Sequence, residues 1–264
     1  MGEVDATRPD AAWLRPEWPA PPGVRALMST RQGGVSRPPY DGLNLGDHVG
    51  DDAEAVRRNR ERFVAALQAQ PVFLQQVHGT TVVRLGPDDL RRARPHEADA
   101  AITTEPGIAC TVMVADCLPV LFASADGRAV GAAHAGWRGL CAGVLERTVR
   151  ALCEAAGCEP ARLLAWLGPC IGADRFEVGD EVRQAFVAVQ DRAGARFRPG
   201  AVAGKWWADL PGLARDRLAA AGVTAVSGGH WCTVSDRSRF FSFRRDGVTG
   251  RMAAAVWRVA GAGD

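Results

Sequence analysis

The middle of the chain constrains the fold most, because it reads as three buried strands followed directly by a helix. Apolar runs at 109–115, 119–123 and 129–134 have the length and composition of strands with little solvent exposure. From 140 to 156 the apolar residues recur at helical spacing, and Gly157 is suited to end that helix. Strands interleaved with a helix in this way predict an α/β domain and argue against a β-sandwich.

The flanking segments repeat this interleaving. A helix is predicted to begin near Asp51, which can cap it, with Glu54 following three residues later. We therefore predict a single α/β domain over 24–264, with a mixed sheet that carries helices on its faces, preceded by an irregular Pro-rich lead-in over 1–23. The other predicted elements are strands within 72–85, with a turn at His78-Gly79, and at 163–167, 223–226, 240–243 and 253–259, and helices at 180–190 and 209–221.

The charge and composition exclude several classes of function. The 264 residues carry a formal net charge of +2 without a basic block, so nucleic acid is not expected as the main partner. The sequence has no run of about 18 apolar residues that would predict a membrane helix. Its start lacks the apolar core of a secretory signal, which predicts a cytoplasmic protein whose Cys110, Cys141 and Cys153 are reduced core thiols.

Three residues with metal-binding side chains stand at turns next to predicted strands. They are His78 in QQVHG, Cys117 in VADCLP and His134 in HAGWRG. Imidazole and thiolate together suit a tetrahedral ion such as zinc, and three protein ligands leave a fourth position for water or substrate. If they form such a site, their donor atoms should lie within about 4 Å of one another.

Structural interpretations of the same residues stay open. A histidine at a strand end is often simply hydrogen-bonded, and a cysteine after an apolar strand is often part of the core. His48 and His96 are interpreted in that way. Asp116 can cap a turn, or it can orient a ligand or move a proton beside Cys117.

The glycine-flanked turn at 136–139 is a candidate anion site. Its amides precede a predicted helix, and Arg138 adds a guanidinium. The alternative is that the glycines only allow close packing of helix and sheet. Trp137 can stack on a heterocycle or pack in the core.

Taken together, these segments resemble the multicopper-polyphenol-oxidase-like, or laccase-domain, family of bacterial purine nucleoside phosphorylases, which also carries the name peptidoglycan editing factor. The resemblance extends from about residue 29 to residue 257. Its motifs are TRQGGVS (30–36), NLG (44–46), NR (59–60), QVHG (76–79), ADA (98–100), ADC (115–117), HAGWRG (134–139), GPCIG (168–172), FEVG (176–179) and FFSFRRDGVTGR (240–251).

The resemblance implies a toxin-deamidase-like fold, not a cupredoxin, and zinc held by His78, Cys117 and His134. It implies phosphorolysis of adenosine, inosine, guanosine and methylthioadenosine, together with hydrolytic deamination of adenosine. Copper remains possible, although five histidines are too few for a typical multicopper cluster. The expected catalytic residues are the three ligands and Asp116. The candidates for binding nucleoside and phosphate are Asn44, Arg60, Arg138, Arg31 and Arg244.

Three other functions stay open at this point. In a metal-free cysteine hydrolase acting on peptidoglycan precursors, Cys117 would be the nucleophile and His134 the base. In a structural zinc protein a fourth ligand is needed, for which only the distant Cys170, Cys232 and His230 are available. A copper-dependent polyphenol oxidase is the third alternative.

Overall fold

The computed structural model describes residues 12–259, which form interleaved strands and helices. The helices are α1 (Ala53–Leu67), α2 (Trp137–Ala142), α3 (Val144–Ala156), α4 (Asp180–Val189), α5 (Leu210–Ala220) and α6 (Phe243–Asp246). The strands are β1 (Val24–Met28), β2 (Gln70–Val72), β3 (Val82–Arg84), β4 (Ala100–Thr103), β5 (Ile108–Val114), β6 (Leu118–Ser124), β7 (Val130–Ala135), β8 (Leu163–Leu167), β9 (Glu177–Gly179), β10 (Phe197–Pro199), β11 (Lys205–Ala208), β12 (Ala225–Gly228) and β13 (Met252–Arg258).

These strands form two larger sheets and one small one. The six-stranded sheet has the order β12-β8-β6-β7-β4-β3, and the four-stranded sheet has the order β1-β13-β5-β2. Each combines parallel and antiparallel pairs, since β12 lies parallel to β8 and β2 parallel to β5. A small antiparallel sheet, β10-β11-β9, completes the set. The predicted α/β class is confirmed, with the strands divided between separate mixed sheets.

The two larger sheets pack face to face, and helices cover their outer faces. Along β5 and β13, alternate residues enter the core between the sheets, and those between them face the helix α1. Along β6 and β7, the same alternation separates the inter-sheet core from a third core under α3, α4 and α5. Because both faces of these strands are buried, they read in the sequence as continuous apolar runs.

Helix boundaries differ from the prediction at two points. The helix predicted from residue 140 begins at Trp137 and is divided in two at Gly143, whose φ of +99° only glycine adopts at little cost. The cap of α1 is Asp52, whose carboxylate accepts a hydrogen bond from the Ala55 amide. Asp51 was the wrong choice of cap, because its side chain is engaged elsewhere, by the Ser36 hydroxyl among others.

The segment 240–243 is not a strand, as its aromatic residues had suggested. Phe240 and Phe241 are fully buried in the core between the sheets, and Ser242 caps the short helix α6. Strand β4 and the small sheet were not predicted. The region 72–85 is two short strands, β2 and β3, joined by the loop that carries His78.

The predicted lead-in lies partly outside the described residues, which begin at residue 12. Within them, Trp13 packs against Phe63 with ring centroids 5.9 Å apart, and Leu14 forms an isolated bridge with Met28. None of the helices within 12–259 is both long and apolar enough to span a membrane.

Candidate metal centre

Strand pairing brings two of the predicted ligands together, and a loop delivers the third. In the antiparallel pair of β6 and β7, Pro119 lies opposite His134, so Cys117, just before β6, comes close to the His134 ring. The loop between β2 and β3 adds His78, whose Nε2 lies 3.7 Å from Cys117 Sγ. The three ligand atoms lie within 4.8 Å of one another, so the residues do converge, slightly less tightly than the spacing of about 4 Å expected for a tetrahedral ion.

The buried carboxylate of Asp99 holds this arrangement in place. Its Oδ1 accepts hydrogen bonds from His134 Nδ1 at 2.8 Å and from the His78 amide at 2.9 Å. Its Oδ2 accepts from the amides of Gly79 at 2.6 Å and Val77 at 3.2 Å. Because a carboxylate can only accept here, His134 Nδ1 carries the proton and Nε2 is left free to act as a ligand.

Backbone conformation at the centre is unusual. His78 and Asp116 have φ values of +60° and +97°, and such left-handed conformations cost non-glycine residues about 1–3 kcal/mol each. Gly136 leaves room for the cluster, because a Cβ there would lie 2.8 Å from His78 Cδ2 and 3.1 Å from Cys117 Sγ. The side chains of the centre therefore come together at the cost of backbone strain at His78 and Asp116, and they need a glycine at position 136.

The electrostatics favour a thiolate. Burial raises the pKa of the Cys117 thiol, but the adjacent His134 and His78 rings outweigh burial and bring the pKa to about 6. Burial also lowers the pKa of His134, but the Cys117 sulfur and the Asp99 carboxylate outweigh it and raise the pKa to about 9. Between these values the metal-free centre holds a Cys117 thiolate beside a protonated His134, and a metal ion would replace the proton on His134 Nε2.

The three side chains open into a cavity of about 660 Å³, here called the donor pocket. Phe243 at its edge is 57% exposed, and Arg251 contributes the pocket's arginine side chain. Beside them, the residues that line the pocket are Asp47, His48, Leu74, Gln75, Gln76, His78, Pro95, Met113, Val114, Ala115, Cys117 and His134.

Two of the residues predicted to bind substrate belong to the scaffold around the pocket and are not among the described residues that line it. The buried Asn44 amide binds the backbone of Gly46 and Arg251 and the Asp51 carboxylate. Arg60 donates to the Leu45 carbonyl at 2.9 Å and pairs with Asp47 at 3.1 Å.

The other three predicted arginines also lie outside the described lining of the donor pocket. Arg31 pairs with Asp41 at 2.8 Å in a different cavity. Arg244 donates to the Glu177 carbonyl at 2.9 Å. The exposed Arg138 stacks on the adjacent Trp137 ring and forms no ion pair within the described residues. The turn itself does lie at the centre, because Gly136 touches two of the three side chains.

Asp116 anchors the wall of the pocket through its side chain. Its Oδ1 accepts from the Thr233 hydroxyl at 2.5 Å, and its Oδ2 accepts from the Ser242 hydroxyl at 3.1 Å and the Arg244 amide at 2.6 Å. Because Ser242 and Arg244 lie at the start of α6, Asp116 fixes the helix that carries Phe243. This geometry favours an orienting role over proton transfer.

The remaining histidines are placed differently. His96 pairs with Asp89 at 2.6 Å, and His230 stacks on Trp231 at 3.7 Å. His48, interpreted from the sequence as structural, lies at the exposed rim of the donor pocket. Among residues 12–259, the one group of His, Cys, Asp or Glu side chains suited to a metal is His78, Cys117 and His134. The distant fourth ligands that a structural zinc site would need are not part of it.

Two residues of this site were not among the sequence candidates. Asp99 lies between alanines in a segment that precedes a buried strand, and a buried acidic residue needs a partner, which is the signal that could have identified it. Arg251 ends a glycine-rich turn before β13 and has no comparable signal. Only the folded chain shows that it reaches the pocket.

Comparison with known proteins identifies the family of the chain. The family model described as multi-copper polyphenol oxidoreductase laccase matches residues 25–259. The chain is 54% identical to a purine nucleoside phosphorylase of Pseudomonas aeruginosa, over 93% of this chain and 98% of that protein. It is 52% identical to purine nucleoside phosphorylase YfiH of Escherichia coli, over 92% of this chain and 98% of that one.

Solved structures share the fold. A crystal structure of a Neisseria meningitidis protein superposes with a TM-score of 0.89 at 47% identity, covering 94% of this chain and all of the other. YlmD from Geobacillus stearothermophilus gives a TM-score of 0.89 at 32% identity, covering 97% of this chain and all of that one. The chain therefore belongs to the multi-copper polyphenol oxidoreductase laccase family.

Proposed function

We propose that the chain is a zinc-dependent purine nucleoside phosphorylase that also deaminates adenosine. The observation that carries the proposal is the convergence of His78, Cys117 and His134 at the floor of the donor pocket. Relatives over half identical that are named purine nucleoside phosphorylases supply the reaction class. The substrates we propose are adenosine, inosine, guanosine and methylthioadenosine, with phosphate as the second reactant.

The donor set fits zinc. Two imidazole nitrogens and one thiolate are typical of a catalytic zinc site that keeps a fourth position open. The Asp99–His134 hydrogen bond is the carboxylate–histidine pair that commonly orients a ligand to zinc. Copper also accepts such donors, but within residues 12–259 no further histidine joins the group, as a multicopper cluster would need. Zinc, when bound, supplies a Lewis acid that polarises an oxygen of water or substrate.

The pocket has the size and the exposure that this chemistry needs. Its volume of about 660 Å³ lies within the range of small-molecule sites, and an aromatic ring at its edge can stack on a purine. In phosphorolysis a phosphate oxygen bonds to the anomeric carbon of ribose, while the bond to the purine nitrogen breaks and the purine leaves. In deamination water adds at C6 of adenine, and ammonia leaves.

The cytoplasm is the compartment we propose for this activity. All seven cysteines are free thiols, including the fully buried Cys110, and thiols persist in a reducing environment. We expect Asp116 to contribute by positioning α6, because its Oδ2 accepts hydrogen bonds from the start of that helix and its Oδ1 is held by Thr233.

A second candidate is a metal-free cysteine hydrolase that acts on amides of peptidoglycan precursors. The observation that favours it is the lowered pKa of Cys117 beside His134, which is also the arrangement of a nucleophile and its base. A dyad of this kind does not need His78. The two proposals therefore differ in what His78 does, and His78→Ala separates them.

Phosphate dependence tests the proposed reactions. Inosine incubated with the protein should yield hypoxanthine and ribose 1-phosphate only when phosphate is present, and adenosine should yield inosine without phosphate. Chromatography of the products measures both. The Cys117→Ala protein, prepared in the same way, controls for a contaminating phosphorylase. Hypoxanthine formed equally by both proteins, or by neither, removes the phosphorylase assignment and leaves the cysteine hydrolase.

A further inference from the structure

Arg251 is the cation in the donor pocket that lacks an anionic partner. Within residues 12–259 no carboxylate lies within ion-pair distance of its guanidinium. Its Nη1 donates to the carbonyls of Thr249 at 3.0 Å and Gly250 at 3.1 Å, which leaves Nε and Nη2 without partners in the described chain. A guanidinium is always charged, so two of its nitrogens are free to bind an anion that enters the pocket.

The surrounding chain is built to hold Arg251 in this place. Its amide donates to Asn44 Oδ1 at 2.8 Å, and the same oxygen accepts from the Gly46 amide at 2.9 Å. The other end of the Asn44 side chain is fixed by the Asp51 carboxylate at 2.9 Å. A Cβ at Gly46 would lie 2.8 Å from Arg251 Cγ, so the absence of a side chain at Gly46 leaves room for the aliphatic part of Arg251. The NLG motif therefore positions the arginine.

The other arginines near the site are ion-paired or are not among the described residues that line the donor pocket. Arg60 pairs with Asp47, and Arg31 pairs with Asp41 outside the pocket. Arg244 donates to a carbonyl and stacks on Phe176, and Arg138 stacks on Trp137, but neither lines the donor pocket. Because Arg251 alone among these combines an open pocket with no counter-ion in the described chain, it is the group that an oxyanion would meet.

We propose that Arg251 binds the phosphate co-substrate and holds it beside the three-donor centre, an inference that rests on the proposed phosphorylase function. The guanidinium fork matches two phosphate oxygens, and the half-buried site strengthens each charge-assisted hydrogen bond relative to water. Phosphate held here lies in the same cavity as Cys117 and Phe243, so nucleoside and phosphate occupy one pocket.

The test is the response of phosphate and nucleoside parameters to Arg251→Gln. We expect the KM for phosphate to rise about 10- to 100-fold, as loss of a charged hydrogen bond predicts, with a much smaller change in the KM for inosine. Arg251→Lys keeps a point charge without the fork and should lie between Gln and the natural residue. If the Gln protein does not fold, the Lys protein carries the same comparison.

Arg258→Gln is the matched control. Arg258 lies at the other end of β13, donates to the Gly127 carbonyl at 2.6 Å and to the Thr104 carbonyl, and is not among the residues that line the donor pocket. Its replacement should leave the KM for phosphate unchanged. An equal rise in both KM values in Arg251→Gln, or no rise in that for phosphate, overturns the inference.

Calorimetric titration of the zinc-loaded protein with inorganic phosphate separates this inference from the proposed function. Binding that weakens in Arg251→Gln but not in Arg258→Gln supports the anion site even if inosine is never cleaved. Cleavage of inosine with unaltered phosphate binding in Arg251→Gln leaves the phosphorylase standing and refutes the role of Arg251.

Discussion

The donor pocket and a second cavity differ in how their charges are balanced. The second cavity, here called the arginine cavity, is the larger at about 870 Å³, and its lining includes Arg31, Asp41, Arg237, Arg245 and Asp246. Each of its three arginines is ion-paired with one of two carboxylates, through Arg31–Asp41 at 2.8 Å, Arg237–Asp246 at 3.0 Å and Arg245–Asp246 at 2.7 Å. The charged side chains of the arginine cavity therefore already have ion-pair partners within the protein.

The donor pocket shows the opposite balance. The Asp99 carboxylate pairs with His134 through Nδ1, but the ligand atoms of His134, Cys117 and His78 face one another without a carboxylate among them, and Arg251 has no carboxylate partner in the described chain. Groups that the fold leaves unneutralised are the ones that a metal ion or a substrate can satisfy. The comparison teaches that reactive side chains without a partner in the protein, more than cavity size, distinguish a candidate site from another cavity.

Removal of one of the three metal-donor side chains should have the largest effect on activity, and the same kind of change in the arginine cavity should have little. Cys117→Ala deletes the thiolate, and we expect turnover of nucleosides to fall about 1,000-fold or more, as the loss of a central catalytic group predicts. The corresponding change in the arginine cavity, Arg237→Gln, should alter turnover by less than about twofold, because the Arg237 side chain is 71% exposed and surface changes are usually small. Steady-state rates of both proteins make the comparison. Similar losses in both would contradict the assignment.

The carboxylates that pair with histidine give a sharper version of the same test. Asp99→Asn replaces the acceptor of four hydrogen bonds at the centre, and we expect metal affinity or activity to fall about 10- to 100-fold. Asp89→Asn is matched, because Asp89 also pairs with a histidine, His96, but outside the pocket. Its activity should stay close to that of the natural protein. Competition with a chromogenic chelator measures the affinity.

The pH dependence of thiol alkylation tests the electrostatics of the metal-free protein. The thiolate is the reactive form, and the pKa of Cys117 is lowered to about 6. Its alkylation rate should therefore stay nearly constant from pH 8 to pH 7 and fall about tenfold between pH 7 and pH 5, as the thiolate takes up a proton. Burial raises the pKa of Cys110, which should not react in the folded protein. A midpoint near the ordinary thiol value of about 8.5 would contradict the close contact with the two rings.

Glycine substitution gives the smallest expected effect. Gly136→Ala places a methyl group 2.8 Å from the His78 ring, which has to move, and we expect activity to fall several-fold with little loss of overall stability. Gly86→Ala adds a methyl group where no atom lies within 4 Å, and it should be neutral. Paired measurements of rate and thermal midpoint check both. An unaltered rate in Gly136→Ala would mean that the centre tolerates a shifted His78.

The sequence predicted the strands best where both of their faces are buried. Strands β5 to β8 were predicted closely, because their apolar runs lie between the sheets and the helices and have both faces covered. The alanine-rich β4 was missed, since alanine has no strand preference of its own. The aromatic segment 240–243 was interpreted as a strand, yet its residues fill the inter-sheet core from an irregular loop. Burial alone does not distinguish these two arrangements.

The residues of the candidate site also differ in how well the sequence indicates their place. The three donors were identified because each stands at a turn beside a predicted strand and because the family resemblance implies them as zinc ligands. In the fold, strand pairing brings Cys117 and His134 together, and a loop adds His78. Asn44 and Arg60 were expected to touch substrate, but they secure the loop that holds Arg251 and Asp47. A hydrogen-bonding side chain next to a site and one inside it look identical in sequence. The two kinds of side chain are distinguished only by contacts between distant segments. The hydrogen bond between Asn44 and Arg251, which are more than 200 residues apart in the sequence, is such a contact.

Metal content of the purified protein tests the central claim most directly. Protein isolated without added metal, analysed by inductively coupled plasma mass spectrometry, should contain about one zinc per chain, as a site with three protein ligands predicts. His78→Ala should lose both the metal and the activity, whereas His96→Ala, which changes a histidine outside the pocket, should keep both. A natural protein without metal that remains active, or a His78→Ala protein that keeps full activity, would contradict the account and favour the Cys117–His134 hydrolase.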